Sequence, residues 1–352
     1  MSLTAQQDGL GAQPLGAARG DFGDVRGEFA VLISGCGVYD LGERAKISLT
    51  GGDRVRWLNG MVTNNVRDLA PGHGVYAFLL NPQGHILGDL YAYNLGGSLL
   101  VDTDQAQTEK ILAVFDKYII MDDVEVTDVS EKLARIGLAG PNSLATLRAA
   151  GFEVPSLAPG QFVELIWGQM NVALVRSDNR NVESFELWSP PENVEKLYAA
   201  LVEAGAKPAG TAAVELLRIA AGIPRYGVDI RERDLPQETE QERALSFVKG
   251  CYVGQEIVER IRSRGQVRRK FSGFEIQGAL PAPGSKIQLD GKDVGEITSA
   301  ASLPLASGDR RVALGYIGRE AATAGKVVNA GGSEARVAKL PFIELSKQEV
   351  AK

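Results

Sequence analysis

Two hydrophobic periodicities alternate along most of this chain, and they restrict the folds that it can adopt. Segments such as AKISLT (45–50) and VYAFLLN (75–81) have the composition of strands. Segments such as DQAQTEKILAVFDKYI (104–119) and PENVEKLYAALVEAG (191–205) place their apolar residues at helical spacing. Strands and helices interspersed in this way predict an α+β fold.

After Gly265 the pattern changes from interspersed helices and strands to short strands alone. Short strand-like segments, among them KFSGFEI, RVALGYI and EARVAKL, follow one another with Gly, Pro and Asp turns between them. This pattern predicts a small C-terminal β-barrel or sandwich. We therefore divide the chain into a disordered or extended lead-in over 1–37, an α+β domain over 38–150, a second α+β domain over 151–265 and a β-barrel over 266–345.

Composition restricts the partners and the cellular setting. The 352 residues carry a net charge of −6 and contain no apolar run long enough to span a bilayer, so we expect neither nucleic acid nor membrane as a partner. Cys36 and Cys251 are the only cysteines, and the first residues lack the apolar core of a secretory signal. We therefore expect a cytoplasmic protein. With His73 and His85 as its only histidines, the chain is not expected to build a His/Cys metal site alone.

The stretch KGCYVGQE (249–256) places one cysteine between a lysine and two glycines, directly before a predicted helix. Gly250 and Gly254 permit unusual backbone angles or the close approach of another molecule. A helix N-terminus and the nearby Lys249 both stabilise a thiolate, so Cys251 is predicted to be a reactive or ligating thiol. The alternative is a small buried residue whose glycine neighbours serve a turn.

The next stretch, RIRSRGQVRRK (260–270), carries six basic side chains and no acidic one. In an acidic protein, such a basic block is predicted to bind a polyanion, the carboxylate-rich tail of a ligand or an acidic partner. The alternative is a solvated face that lies next to acidic surface.

KGCYVGQE, followed by Arg260 and Gly265, resembles the signature of the YgfZ-type folate-binding proteins, relatives of the glycine-cleavage T-protein (aminomethyltransferase). Four further segments match that superfamily in order and spacing: LNGMVTNNVRDLAPG, NPQGHILGDLYAY, LAGPNS and ELLRIAAGIPRYGVDI. The resemblance covers about residues 38–275 and extends loosely to the C-terminal barrel. It implies three domains around a central folate channel, with tetrahydrofolate or a one-carbon derivative as the ligand.

The resemblance also implies individual folate-binding residues. Asp89 in GHILGDL matches an aspartate that lies beside the reactive nitrogens of tetrahydrofolate. Glu186 in ESFELW matches a glutamate that binds the pterin ring, and Arg218 in ELLRIAAG matches an arginine that helps to close the site. The predicted binding set also includes Tyr252 and Gln255 of the cysteine motif.

The predicted catalytic set consists of Asp89, Cys251 and Lys249. Cys251 is predicted to be a thiolate nucleophile or a transient ligand, and Lys249 is predicted to assist its ionisation. In a transferase, Asp89 would orient or activate the folate nitrogen. No metal ligand is predicted.

The folate-site residues, considered alone, leave alternatives open. Asp89 interrupts an apolar strand, where a carboxylate costs free energy unless it is paired or functional, but the alternation also allows it to point outward. Glu186 has the same ambiguity. Arg218 lies on a helix with apolar neighbours, so its guanidinium needs an acidic partner or an anionic ligand. A structural arginine–glutamate pair meets that need as well as a ligand does.

Two departures from the T-protein pattern direct the functional prediction. The T-protein has a glycine-rich turn ahead of its pterin glutamate, where this chain has SDNRNVESFE. The T-protein also lacks the cysteine motif that this chain carries. The chain therefore resembles the YgfZ branch, which is associated with assembly or repair of iron–sulfur clusters. Our first prediction is a tetrahydrofolate-binding accessory protein whose partners are iron–sulfur client enzymes or assembly factors. Because Asp89 is retained, a folate-dependent aminomethyl or methyl transferase is the alternative, and a scaffold that binds a partner through its basic helix is the second alternative.

Overall fold

The strands of this protein form two open sheets and one closed barrel, with helices packed around them. The computed structural model describes residues 20–42, 44–178 and 182–344. The predicted α+β fold and the predicted C-terminal barrel are both confirmed. The helices of the described residues are α1 (Val25–Ser34), α2 (Arg54–Met61), α3 (Thr108–Tyr118), α4 (Ser143–Ala149), α5 (Val194–Glu203), α6 (Thr211–Ala220) and α7 (Gln255–Arg264).

The first sheet has five strands in the order β3-β4-β5-β2-β6. Its residues at alternate positions, such as Ile47, Leu90 and Val101, form one apolar cluster with α2 and α3. The other face of the sheet is therefore available to the rest of the molecule. The strands are β2 (Arg44–Thr50), β3 (His73–Leu80), β4 (Ile86–Asn94), β5 (Leu99–Asp104) and β6 (Glu125–Asp128).

The second sheet has six strands in the order β11-β1-β7-β10-β9-β8. Leu138, Leu174 and Leu187 lie on one face of this sheet, where they pack with α4 and α5. As in the first sheet, the opposite face is left for other contacts. The strands are β1 (Gly37–Asp40), β7 (Ala134–Ala139), β8 (Phe162–Trp167), β9 (Met170–Arg176), β10 (Ser184–Ser189) and β11 (Lys207–Pro208).

The barrel closes through six strands in the order β12-β15-β14-β13-β16-β17. Its interior holds an apolar cluster of its own, and its outer wall packs against α1 and α6 through residues such as Leu303 and Leu314. The barrel is thereby fixed to the α+β part of the molecule. The strands are β12 (Arg269–Gln277), β13 (Lys286–Leu289), β14 (Lys292–Leu305), β15 (Gly308–Gly318), β16 (Val327–Ala330) and β17 (Ser333–Ala338).

Two parts of the predicted domain division differ from the observed sheets. Strand β7 and all but the first residue of β1 fall within the segment 38–150, yet both strands pair into the second sheet, so the two sheets interleave along the chain. The predicted lead-in over 1–37 contains α1, which begins at the side-chain cap Asp24 and buries Phe29 and Leu32 completely. Those two residues give the segment a helical apolar stripe that its Gly- and Ala-rich composition concealed. Residues 1–19 lie outside the described part.

Candidate functional site

The polar face of the first sheet carries a row of functional side chains. Antiparallel pairing aligns Tyr76 with Tyr91, Tyr91 with Asp102, and Asp102 with Lys46. Residues directly opposite one another in a sheet share a face, and side chains alternate along each strand. Asp89, two residues before Tyr91, therefore lies on the same face as the row.

The polar face of the second sheet packs against that row. Trp188 pairs with Arg135 across β10 and β7, so the two share a face. Lys46 Nζ lies 3.4 Å from the centre of the Trp188 ring, and Arg135 Nη1 lies 3.7 Å from Asp102 Oδ1. We call the seam between these two faces the inter-sheet site.

Asp89 is positioned within the inter-sheet site by two neutral donors. Tyr76 Oη donates to Asp89 Oδ2 at 2.7 Å, and Gln107 Nε2 donates to Asp89 Oδ1 at 2.7 Å. Gln107 also accepts from the Asp89 backbone N–H, which fixes the strand beside it. Asp89 therefore points into the polar seam, and the alternative of an outward, solvent-facing aspartate does not apply. Each oxygen retains acceptor capacity for a further hydrogen bond.

A second network connects the two sheets beside Asp89. Arg243 forms an ion pair with Asp178 and donates to Tyr91 Oη at 3.1 Å, and Tyr91 Oη donates to Asp178 at 2.8 Å. The same guanidinium lies 4.3 Å from the centre of the Tyr76 ring. Burial raises the pKa of Tyr76 and of Tyr91, so both phenols stay protonated donors at neutral pH.

Glu186 lies on the second sheet, half-buried, where Trp188 Nε1 donates to its Oε2 at 2.8 Å. Its other oxygen accepts no hydrogen bond from the residues that the structure describes. Within the described residues, that oxygen is left with its full acceptor capacity. Burial lowers the pKa of Lys46 and of Arg135, and the negative charge of Glu186 opposes that effect.

Cations outnumber carboxylates at the centre of the inter-sheet site. Asp102 has Arg44 at 2.9 Å, Lys46 at 3.1 Å and Arg135 at 3.7 Å. Burial acts to raise the pKa of Asp102, but the three cations outweigh it and the pKa falls to about 2. Burial lowers the pKa of Lys46 to about 8. Lys46 Nζ and the Nε and Nη1 atoms of Arg135 are buried and donate no well-oriented hydrogen bond to the described residues.

The Cys251 motif presents its thiol to solvent. Cys251 is exposed, which excludes the alternative of a small buried packing residue. Gly254 has a φ of 81°, and a Cβ atom there would lie 2.6 Å from the Asn81 carbonyl oxygen, so the turn before α7 needs glycine. The predicted helix after the motif is confirmed as α7, and Gly265 ends it.

Lys249 serves a different contact from the one predicted. Its ammonium group donates to the backbone carbonyls of Asn59, Val62 and Asn64 at the end of α2. Burial lowers the pKa of Lys249 to about 7. Because its donors are directed to carbonyls, the prediction that it assists ionisation of Cys251 is corrected to a structural role that fastens the motif to α2.

Tyr252 and Gln255 have different surroundings. Tyr252 is buried in a cluster with Phe78 and with Tyr76, the tyrosine that donates to Asp89. Burial raises the pKa of Tyr252 to about 12. Its hydroxyl has no hydrogen-bond partner among the described residues. Gln255 is half-buried at the first position of α7. Their predicted contact with folate stays a prediction.

Arg218 forms the structural pair that the sequence left open. Its guanidinium binds both oxygens of Glu215 at 2.6 and 2.8 Å, Asp229 Oδ2 at 2.7 Å and Ser299 Oγ at 3.0 Å. These partners join α6, the loop before Ile230 and barrel strand β14. Arg218 therefore lies where α6 meets the barrel and not in the inter-sheet site. The acidic partners that its buried guanidinium needs come from this chain itself.

The basic block is divided between several acidic neighbours. Arg260 pairs with Glu256 and Arg262 pairs with Glu259 on the same helix. Arg269 faces Asp234 and Glu238, so much of the charge that favoured an anionic partner is neutralised locally. Among the described residues, no three Asp, Glu, His or Cys side chains are close enough to hold a metal ion.

The family follows from a comparison with known proteins. The family model described as GCVT N-terminal domain matches residues 17–249, more than half of the chain. The chain belongs to this GCVT family. The match ends at Lys249, so the exposed Cys251 and the barrel lie beyond the matched segment.

Individual relatives agree with the family assignment. The chain is 29% identical to an aminomethyltransferase of Rubrobacter xylanophilus over 333 residues, covering 93% of this chain and 88% of that protein. It is 28% identical to an aminomethyltransferase of Thermus thermophilus over 312 residues, covering 88% and 87%. The solved structure of aminomethyltransferase T of the glycine cleavage system from Bartonella henselae has a TM-score of 0.82 at 23% identity, covering 91% of this chain and 90% of that one. That likeness shows that the two proteins share a fold.

Sequence reasoning missed most of the inter-sheet site. Tyr76, Gln107 and Arg243 come from three separate segments. The folded structure brings Tyr76 and Gln107 to Asp89, and it places Arg243 over the Tyr76 ring. The one local signal was Lys46, a charged residue inside the strand segment AKISLT.

In the described residues, no helix is both long and apolar enough to cross a membrane.

Proposed function

We propose that this protein binds a reduced folate in the inter-sheet site and acts as a folate-dependent aminomethyltransferase. The chain's family and its relatives named aminomethyltransferase support this over the accessory role that the sequence favoured. The single observation that carries the proposal is Asp89, a carboxylate on the polar face of the first sheet that two neutral donors orient.

The residues of the inter-sheet site suit a pteridine. The amino-pyrimidine edge of a pterin donates hydrogen bonds that a carboxylate accepts, and Glu186 has one oxygen without a partner among the described residues. The rings of Tyr76 and Tyr91 supply aromatic surface. Arg135 Nε is buried without an acceptor among the described residues, and a ligand or water would provide one. When bound, tetrahydrofolate supplies the nitrogen atoms that carry a one-carbon unit.

The chain's own residues then have distinct roles. Asp89 is the acceptor that orients a donor N–H or takes a proton, and Tyr76 and Gln107 hold its two oxygens in place. Glu186 is the acceptor for the ring edge. Arg243 is a positioning residue, since it fixes Tyr91 and stacks on Tyr76 without reaching Asp89 by a hydrogen bond.

Two measurements test the transferase. Tetrahydrofolate binding is followed by calorimetry, and formation of methylene- or methyl-tetrahydrofolate is followed with candidate one-carbon donors. Asp89→Asn is expected to weaken binding by less than about tenfold and to lower the transfer rate by about 10²–10⁴. Asp116→Asn, at an exposed position on α3, is the matched control and should change neither. Equal transfer rates in Asp89→Asn and wild type would contradict the role of Asp89.

A second candidate function is favoured by one observation, the exposed thiol of Cys251 beyond the matched family segment. Under this proposal, which corresponds to the YgfZ-type resemblance, Cys251 serves iron–sulfur client enzymes or assembly factors as a nucleophile or transient ligand. Lys249 contributes by holding the segment in place, since its ammonium binds three carbonyls at the end of α2.

Cys251→Ser tests this second candidate in cells that lack the native protein. The activity of iron–sulfur enzymes should fall, while tetrahydrofolate affinity measured on the purified variant stays within about twofold because the thiol lies on the surface. Val248→Ser, at a neighbouring position that is 92% exposed, is the matched control. Full iron–sulfur enzyme activity in the Cys251→Ser cells would remove this candidate and leave the transferase untouched.

A further inference from the structure

A cavity of about 300 Å³ lies at the barrel surface, and none of its lining residues belongs to the inter-sheet site. Barrel strands β12 to β15 form most of its wall, and Arg233 from the preceding loop completes it. The lining residues are Arg233, Arg269, Lys286, Gly295, Glu296 and Tyr316. Neither the family nor the proposed transferase gives this cavity a role.

Cations exceed carboxylates around Glu296. Arg231 lies 2.7 Å from Glu296, Lys286 lies 3.2 Å away and Arg233 lies 3.5 Å away. Arg233 makes no hydrogen bond to the described residues, and its side chain is 59% exposed. The single Glu296 carboxylate therefore leaves these three cations with a net positive charge, and two of them, Arg233 and Lys286, line the cavity.

Arg269 contributes differently to the same cavity. Its guanidinium is paired with Asp234 at 2.6 Å and with Glu238 at 3.0 Å. These two carboxylates neutralise much of its charge, but they also hold the guanidinium rigidly, 4.7 Å from the centre of the Tyr316 ring. The whole group has four cations and three carboxylates, so it keeps a positive surplus.

Tyr316 supplies a buried donor in the cavity lining. The residue is 3% exposed, and its hydroxyl has no hydrogen-bond partner among the described residues. Burial raises the pKa of Tyr316, so the phenol stays protonated at neutral pH. A buried hydroxyl without a partner costs free energy, and an acceptor oxygen within the cavity would remove that cost.

We propose that this cavity binds a phosphate group, either free or carried by a small phosphate ester. Phosphate offers several acceptor oxygens in a tetrahedral arrangement, and arginine forks bind it with two parallel hydrogen bonds. Arg233 and Lys286 provide cationic donors that share one carboxylate, Glu296, and Tyr316 provides a neutral donor. A single carboxylate ligand has two oxygens and fewer ways to satisfy donors that approach from separate strands.

Calorimetric titration of the full-length protein tests the proposal, with inorganic phosphate and glycerol phosphate as probes at constant ionic strength. Arg233→Gln should weaken phosphate binding by about tenfold or more, because it removes charge-assisted hydrogen bonds. Tyr316→Phe should weaken it several-fold, and circular dichroism checks that the variant is folded. Arg336→Gln, an exposed arginine of the same barrel on β17, is the matched control and should leave binding within about twofold of wild type.

The two probes separate the sources of the phosphate group. Tighter binding of glycerol phosphate indicates an ester, and equal binding indicates the free ion. Equal affinity in Arg233→Gln and wild type, or no saturable binding of either probe at millimolar concentration, overturns the proposal. Tetrahydrofolate binding should be unchanged in Arg233→Gln, so failure here and failure of the folate site are distinguishable.

Discussion

Replacing Arg218 with methionine separates a structural role for this residue from a ligand-binding role. The guanidinium connects α6, the loop that contains Asp229 and barrel strand β14. Asp229 is fully buried, and it would keep its hydrogen bonds from Thr298 and Ser299 but lose its only ion-pair partner among the described residues.

The expected loss of stability follows from the buried Asp229 carboxylate, which is left without a cation. Removing one partner of a buried ion pair costs about 3–5 kcal/mol, because the remaining charge has been taken out of water without compensation. For a chain of this size, such a loss lowers the melting temperature by about 4–7 °C. Tetrahydrofolate affinity, measured where the variant is still folded, should stay close to wild type.

Urea unfolding followed by circular dichroism measures the loss. Arg225→Met is the matched control, since Arg225 is 46% exposed and lies 3.6 Å from Glu215, so it should change the free energy of unfolding by at most about 1 kcal/mol. Adding Asp229→Asn to Arg218→Met should recover part of the stability by removing the unpaired charge. A stable Arg218→Met variant that binds tetrahydrofolate poorly would refute this reasoning and restore the folate role.

Two further predictions concern single side chains. Cys251 is exposed and Cys36 is buried. A water-soluble maleimide should therefore label one thiol per native molecule and two thiols after unfolding. Mass spectrometry that shows two labels on the native protein would contradict this prediction. Asp102 has a pKa of about 2 in the folded protein against an ordinary value of 3.8. The unfolded state therefore binds more protons as the pH falls from about 4 to about 2, and about 2 kcal/mol of stability is lost over that range. The double variant Asp102→Asn, Lys46→Met should lose correspondingly less between these pH values in urea unfolding, and an equal loss would show that the Asp102 cluster does not govern the acid response.

Local sequence patterns predict the parts of the fold that depend on neighbouring residues. The helix after the cysteine motif and the turn-rich barrel both follow from periodicity and glycine placement. Cys251 is exposed, which a reactive or ligating thiol requires, and its role stays a prediction. In each case, the signal lies within about a dozen residues of the feature it predicts.

Long-range pairing determined what the sequence could not show. The sequence allows either a ligand or an acidic residue as the partner of Arg218. The partner Asp229 is brought to Arg218 by the conformation of its loop, which the sequence does not show. Lys249 was predicted to act on the neighbouring cysteine, but its long side chain reaches carbonyls nearly two hundred residues earlier in the chain. The inter-sheet site itself arises because β7 and β10 belong to one sheet and β2 and β5 to the other.

A crystal structure of the protein with bound tetrahydrofolate tests the central claim most directly. The account predicts density for the pteridine between the two sheets, with its amino-pyrimidine edge at Glu186 and its reactive nitrogens beside Asp89. Density for the ligand in another part of the molecule, or a saturated crystal whose inter-sheet site holds only water, would contradict it.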